Sequence, residues 1–231
     1  QYWGWASWRA RAYRSAVDLA LLPLPFERAW FERRGIAVAH VGHPLLDALA
    51  NVPVTRPSAG ARTLALLPGS RAGVLARNLP WMLEVVAETR ARAGLFDVVV
   101  ACADDEGARA ASRHVSSANA HGWARVVVGE LHETLASARA AFSVSGTVLV
   151  DVLHHRLPTV VLYRLAHARE AWAQSHLLLA PWFASPNLLA GAEVCPEFAF
   201  HGEGPREAVT AALERALGDD AWRAEATAGM E

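Results

Sequence analysis

From residue 63 onward the sequence alternates short, solid apolar runs with longer stretches of helical character, and this restricts the fold more than any other feature. The runs TLALL (63–67), DVVVAC (97–102), RVVV (125–128), AFSV (141–144) and TVVLY (159–163) leave almost no position for a solvent-facing side chain. Each therefore reads as a strand buried on both faces. Residues 78–93, 105–115, 131–139 and 146–155 read as the intervening helices, and further helices are expected at 168–179 and 206–217. Buried strands joined through helices make a parallel sheet, and right-handed crossovers make that sheet a Rossmann-like α/β layer sandwich. Such sheets bind ligands at the carboxyl ends of their strands, so the loops that matter follow Leu67, Cys102, Val128, Val144 and Tyr163.

Upstream, residues 18–25, 26–34 and 36–41 read as strand, helix and strand, and residues 51–62 form a linker rich in Pro, Ser, Thr, Ala and Gly. The expected division is a first unit at 1–58 and a complete domain at 59–231. So few elements in the first unit bury too little surface to stand alone, so it is expected to be the tail of a larger domain. The chain opens at Gln1 without an initiator Met, which fits a fragment.

Lys plus Arg (22) nearly balance Asp plus Glu (23), so no global field recruits nucleic acid or an anionic membrane, and any anion site must be local. The two cysteines, Cys102 and Cys195, build no disulfide framework and read as buried thiols. No apolar run approaches the ~20 residues of a spanning helix. His154 and His155 are adjacent on a helix and point about 100° apart, poor geometry for a shared ion, so no metal is expected.

Two loops stand out. Pro68-Gly69-Ser70-Arg71 offers a glycine that lets backbone approach a ligand, a hydroxyl, and a planar cationic fork suited to phosphate oxygens; a plain turn with a solvated Arg is the competing reading. Ser145-Gly146-Thr147 opens a helix whose free N–H groups and positive dipole end favour an anion, against the alternative of a simple cap. Both lie at the same sheet edge, which suits a diphosphate. Asp151, one turn into that helix, is placed to accept from a ribose hydroxyl pair, and Tyr163-Arg164 add an aromatic and a second fork. Asn187, in Ser185–Gly191, reads by itself as a turn former, with Glu193 following. Trp3, Trp5 and Trp8 beside Arg9, Arg11 and Arg14, and the run LLLAPWF at 177–183, have a composition suited to lipid contact or to ordinary core.

In order along the chain, these segments resemble the lipid-A-disaccharide synthase family of GT-B glycosyltransferases. Gln1-Tyr2-Trp3-Gly4-Trp5 echoes its QxWAWR, Leu24-Pro25-Phe26-Glu27 its FPFE, and Val41-Gly42-His43-Pro44 its VGHP. LLPGSR stands intact at 66–71, SGTATLE appears as residues 145–151, VVYR as 161–164, and PNLxAGxExxPE as 186–197. The resemblance implies that this is the C-terminal portion of a two-domain enzyme. That enzyme would transfer 2,3-diacylglucosamine from its UDP donor to 2,3-diacylglucosamine 1-phosphate at the cytoplasmic face of the bacterial inner membrane, as a peripheral protein without metal or other cofactor.

It further implies that Gly69, Ser70, Arg71, Ser145, Gly146 and Thr147 hold the diphosphate and Asp151 the ribose, with Tyr163, Arg164, Asn187 and Glu193 around the same cleft. The general base is expected upstream of Gln1. A homo-oligomer is compatible with the sequence and not specified by it. Departures from the family pattern are Val74 and Asp151 where it has Glu, and Ala6 and Ala192 where it has Arg. Another UDP-sugar transferase on the same fold, or a non-catalytic nucleotide-sugar-binding relative, are the rival readings.

Overall fold

The computed structural model describes residue 4 and residues 7–54, 61–168 and 180–230. Its centre is a six-stranded, fully parallel sheet of β3 (Thr63–Leu67), β4 (Asp97–Cys102), β5 (Ala124–Val128), β6 (Ala140–Val144), β7 (Thr159–Arg164) and β8 (Glu197–Phe200). The spatial order is β5-β4-β3-β6-β7-β8. The chain therefore winds outward from β3 to β5, returns, and winds the other way from β6 to β8. The order reverses between β3 and β6, where Leu67 lies opposite Ser143, and the loops leaving that pair diverge to opposite faces.

Side-chain alternation along the strands explains the two layers. Leu64 and Leu66 of β3 join Phe142 of β6 on one face, covered by Leu75, Leu79 and Met82 of α4 (Ala72–Ala93), Val115 of α5 (Asp105–Ser117) and Leu213 of α9 (Arg206–Gly218). Ala65 and Leu67 point to the other face, against Leu135 of α6 (Leu131–Ser137) and Val152 of α7 (Val148–His155). Small alanines on that second face let α6 and α7 sit close. Phe142, Leu64 and Leu66 are wholly buried, and each such side chain is worth roughly 1.5–3 kcal/mol.

The five strands read from sequence are all present. β8 was not expected: four residues beginning with Glu197 fall short of the apolar-run signal. α4 begins at Ala72, six residues before the expected start, with Pro80 tolerated inside it. The short α8 (Ser185–Ala190) replaces the expected turn, with Pro at its first turn and Gly191 in the left-handed conformation closing it. The C-terminal α10 (Asp220–Gly229) was also unforeseen; Asp219 caps it by accepting from the Trp222 N–H at 2.9 Å. The helix expected at 168–179, Trp3 and Trp5, and the first part of the 177–183 run lie outside the described residues apart from Ala168.

The first part of the chain carries α1 (Ala10–Ala16), β1 (Ala20–Leu22), α2 (Glu27–Glu32), β2 (Val38–His40) and α3 (Pro44–Leu49), with β1 and β2 forming a two-stranded parallel pair. Ala20, Leu22, Phe31 and Ile36 make a small separate core, against which Ala180 and Leu188 also pack. α3 sits beside α7, and His154 Nε2 lies 2.9 Å from the Val52 carbonyl. Among the described residues no helix is long and apolar enough to cross a membrane.

Candidate functional site

At the reversal point the chain leaves β3 through Pro68-Gly69-Ser70-Arg71. Gly69 has φ +97°, and a Cβ placed on it would lie 2.7 Å from Val74 Cγ1 and 3.2 Å from Val144 Cγ2. Only glycine lets this loop pass between the start of α4 and the end of β6. Arg71 is the residue before α4; its carbonyl accepts from the N–H groups of Val74 and Leu75. Its exposed guanidinium makes no hydrogen bond or ion pair among the described residues. Ser70 beside it is exposed.

On the β6 side the Ser145 N–H is held by the Leu162 carbonyl at 2.8 Å, which fixes the loop to β7. Gly146 and Thr147 are exposed, and the Thr147 hydroxyl does not cap α7. Two helix amino termini, of α4 and α7, thus open from the ends of adjacent strands, and the exposed Arg71 immediately precedes the first of them. This is an arrangement of positive character suited to phosphate oxygens.

Asp151, one turn into α7, has its side chain 18% exposed, and burial raises its carboxyl above the usual range against the pull of His132 and His154. His132, at the start of α6, places Nε2 4.0 Å from Asp151 Oδ1. Its other nitrogen, Nδ1, lies 3.2 Å from Nε2 of the buried His155. Burial pushes His155 down to about 4, so it is neutral at pH 7. His132 was not among the expected residues, although it follows β5, one of the strand ends marked for attention; its approach to Asp151 joins two helices and leaves no local sequence signal.

Other expected residues are placed differently. Tyr163 is exposed and packs on Phe183 with ring centroids 5.8 Å apart. Arg164 does not present its fork to the crevice: Nη1 donates to the Arg77 carbonyl at 2.7 Å and Nη2 to the Gly202 carbonyl at 3.2 Å. It clamps α4 to the segment after β8.

Asn187 is also a correction. It is wholly buried; its amide donates to the Cys195 carbonyl (2.8 Å) and Glu197 Oε2 (3.1 Å), and its oxygen accepts from the N–H groups of Val194 (2.9 Å) and Cys195 (2.8 Å). No hydrogen-bonding capacity is left for a ligand. Glu193 is exposed on the segment that enters β8 at its amino end, with no hydrogen bond or ion pair to Arg71 or Asp151. Burial pushes the Cys102 thiol up to about 11 and the Cys195 thiol up to about 12, leaving both unreactive.

Sheet order and crevice define the class of protein: a doubly wound, Rossmann-like α/β domain with its crevice at the switch point between β3 and β6. A putative UDP-N-acetylglucosamine 2-epimerase from Listeria monocytogenes superposes with a TM-score of 0.62 at 15% identity, over 91% of this chain and 53% of that one. A pneumococcal O-GlcNAc transferase, solved with UDP and GlcNAc, gives 0.54 at 12% identity, over 97% and 44%.

The chain belongs to the lipid-A-disaccharide synthetase family, whose model matches residues 1–228. A lipid-A-disaccharide synthase of Azotobacter vinelandii is 37% identical over 204 residues, 84% of this chain and 53% of that protein. The chain spans between about half and three fifths of the length of such relatives.

Proposed function

We propose that this chain is the donor-binding part of a bacterial enzyme that transfers 2,3-diacylglucosamine from its UDP donor to 2,3-diacylglucosamine 1-phosphate, making the β-1,6 disaccharide of lipid A. In this reading residues 59–231 bind the donor and residues 1–58 are the end of the acceptor-side domain, working at the inner-membrane surface. Family membership supports the substrates. The observation that supports the donor site is the tight passage of Gly69 between Val74 and Val144, which brings the Pro68–Arg71 loop against the end of β6, immediately before Ser145-Gly146-Thr147.

Bond cleavage at the anomeric carbon leaves its electron pair on the diphosphate oxygen, so negative charge grows on UDP in the transition state. A guanidinium and preoriented free amide N–H groups stabilise that charge as it forms. Arg71, the α4 and α7 amino termini and the Thr147 hydroxyl supply these donors, and the reading calls on no cation. Asp151 accepts from the ribose. The base that takes the proton of the acceptor hydroxyl is not assigned to a residue of this chain.

The test is calorimetric titration of the full-length protein with UDP, with and without EDTA, alongside Arg71→Ala. Expected are micromolar to low-millimolar binding unaffected by chelation and a loss of tenfold or more in the variant, about 1.4 kcal/mol. A folded full-length protein that does not bind UDP overturns the donor-site reading.

A further inference from the structure

His132, Asp151 and His155 form a connected buried-to-exposed series that the diphosphate chemistry does not use. His155 is 6% exposed, its Nδ1 has no hydrogen-bond partner, and its Nε2 faces His132 Nδ1 at 3.2 Å. A neutral imidazole carries one N–H and one lone pair. With the proton on Nδ1, His155 would bury an unpaired donor; with it on Nε2, the orphan is only an underused acceptor, the cheaper alternative. The Nε2–H then donates to His132 Nδ1, so the proton of a neutral His132 sits on Nε2, directed toward Asp151.

The 4.0 Å between His132 Nε2 and Asp151 Oδ1 is too long for a direct hydrogen bond. It is short enough for one hydroxyl oxygen to accept from the first and donate to the second at ordinary lengths of ~2.8 Å. The His132 side chain is 36% exposed and so reachable by a ligand.

Resting on the ribose reading of Asp151, we infer that His132 and Asp151 together form a donor–acceptor pair for the vicinal diol of a ribonucleoside, with His155 as the positioning residue that fixes the His132 tautomer. The shorter Asp at position 151 leaves the gap that His132 closes through the hydroxyl. His132 thereby becomes a determinant of selectivity for the ribose ring and not only for the diphosphate.

The test compares UDP with 2′,3′-dideoxy-UDP on the full-length protein. The wild type is expected to prefer UDP by ~10-fold or more. His132→Phe keeps the ring and removes both nitrogens; it should reduce the preference to ~3-fold or less while leaving dideoxy-UDP binding unchanged, which also reports an intact fold. Nitrogen-15 NMR should show the His132 proton on Nε2 in the wild type and a mixture of tautomers in His155→Leu. Equal weakening of both nucleotides by His132→Phe, or a preference that survives it, overturns the diol pair alone. A wild type that binds UDP without preferring it to the dideoxy form overturns the ribose reading together with the pair.

Discussion

Single residues at the crevice carry requirements that can be separated. Gly69 must hold a positive φ and leave space for Val74 and Val144. Gly69→Ala is therefore expected to cost ~2 kcal/mol of stability, read as a lower denaturation midpoint, and to weaken UDP binding by moving Arg71. Adding Val74→Ala should relieve the contact but not the φ strain, restoring only part of the loss.

His155 acts through protonation. Its folded pKa of about 4 lies below the ordinary 6.5. Between those values the unfolded chain takes up a proton that the folded chain refuses. Stability from this group is full above 6.5, is lost as pH falls toward 4, and the total is on the order of 3 kcal/mol. Asp151 and Glu197, both raised by burial, work in the opposite direction, since the folded state protonates them first and gains on acidification. His155→Leu isolates the first effect: its unfolding midpoint, followed by circular dichroism from pH 7 to 4, should fall less than that of the wild type.

At the scale of elements, α8 and β8 are held together by a polar latch. The Asn187 side chain binds both the Cys195 backbone and Glu197, and the Glu197 carboxylate accepts from the N–H groups of Phe183 and Ala184. Truncation in Asn187→Ala orphans buried donors and an acidic group at once, and a loss of ~3 kcal/mol is expected in urea unfolding. UDP affinity, measured where the variant is still folded, should change little, in contrast to Arg71→Ala; a selective loss of UDP binding with unchanged stability would return Asn187 to the ligand.

This latch also marks where sequence reading stopped. The strands β3 to β7 were legible because burial on both faces writes itself as unbroken apolar residues. The loops at Gly69–Arg71 and Gly146 were legible as loops at adjacent strand ends because the apolar runs stop just before them. α8 and β8 were not, since SPNLLAG carries turn residues and EFAF begins with a half-buried Glu whose partners are ten to fourteen residues away. An amide that binds ligand and an amide that binds backbone look alike in sequence, so Asn187 could be placed only by its four partners.

Over these 231 residues a formal charge of -1 supplies no long-range field for an anionic donor, so in the proposed reading the attraction from this part comes from the crevice. Several other arginines among the described residues are engaged: Arg92 with Glu207, Arg139 with Asp220, Arg206 with Glu84 and Glu88, and Arg164 with backbone carbonyls. Arg71 is exposed, so its interaction with a diphosphate is screened by salt over a Debye length of ~10 Å at 0.1 M. In the proposed donor site the helix-terminus amides would act at hydrogen-bond range and be screened less.

Salt dependence should therefore be modest and reside largely in one side chain. UDP binding by the full-length protein, titrated at ~0.05 M and ~0.5 M NaCl, is expected to weaken by several-fold. Arg71→Ala should bind more weakly at both concentrations and with most of that dependence removed, the residue left by the amide donors of α4 and α7. A variant that keeps the full salt dependence would mean that cations elsewhere gather the donor, and that the crevice owes its affinity to amides and hydroxyls alone.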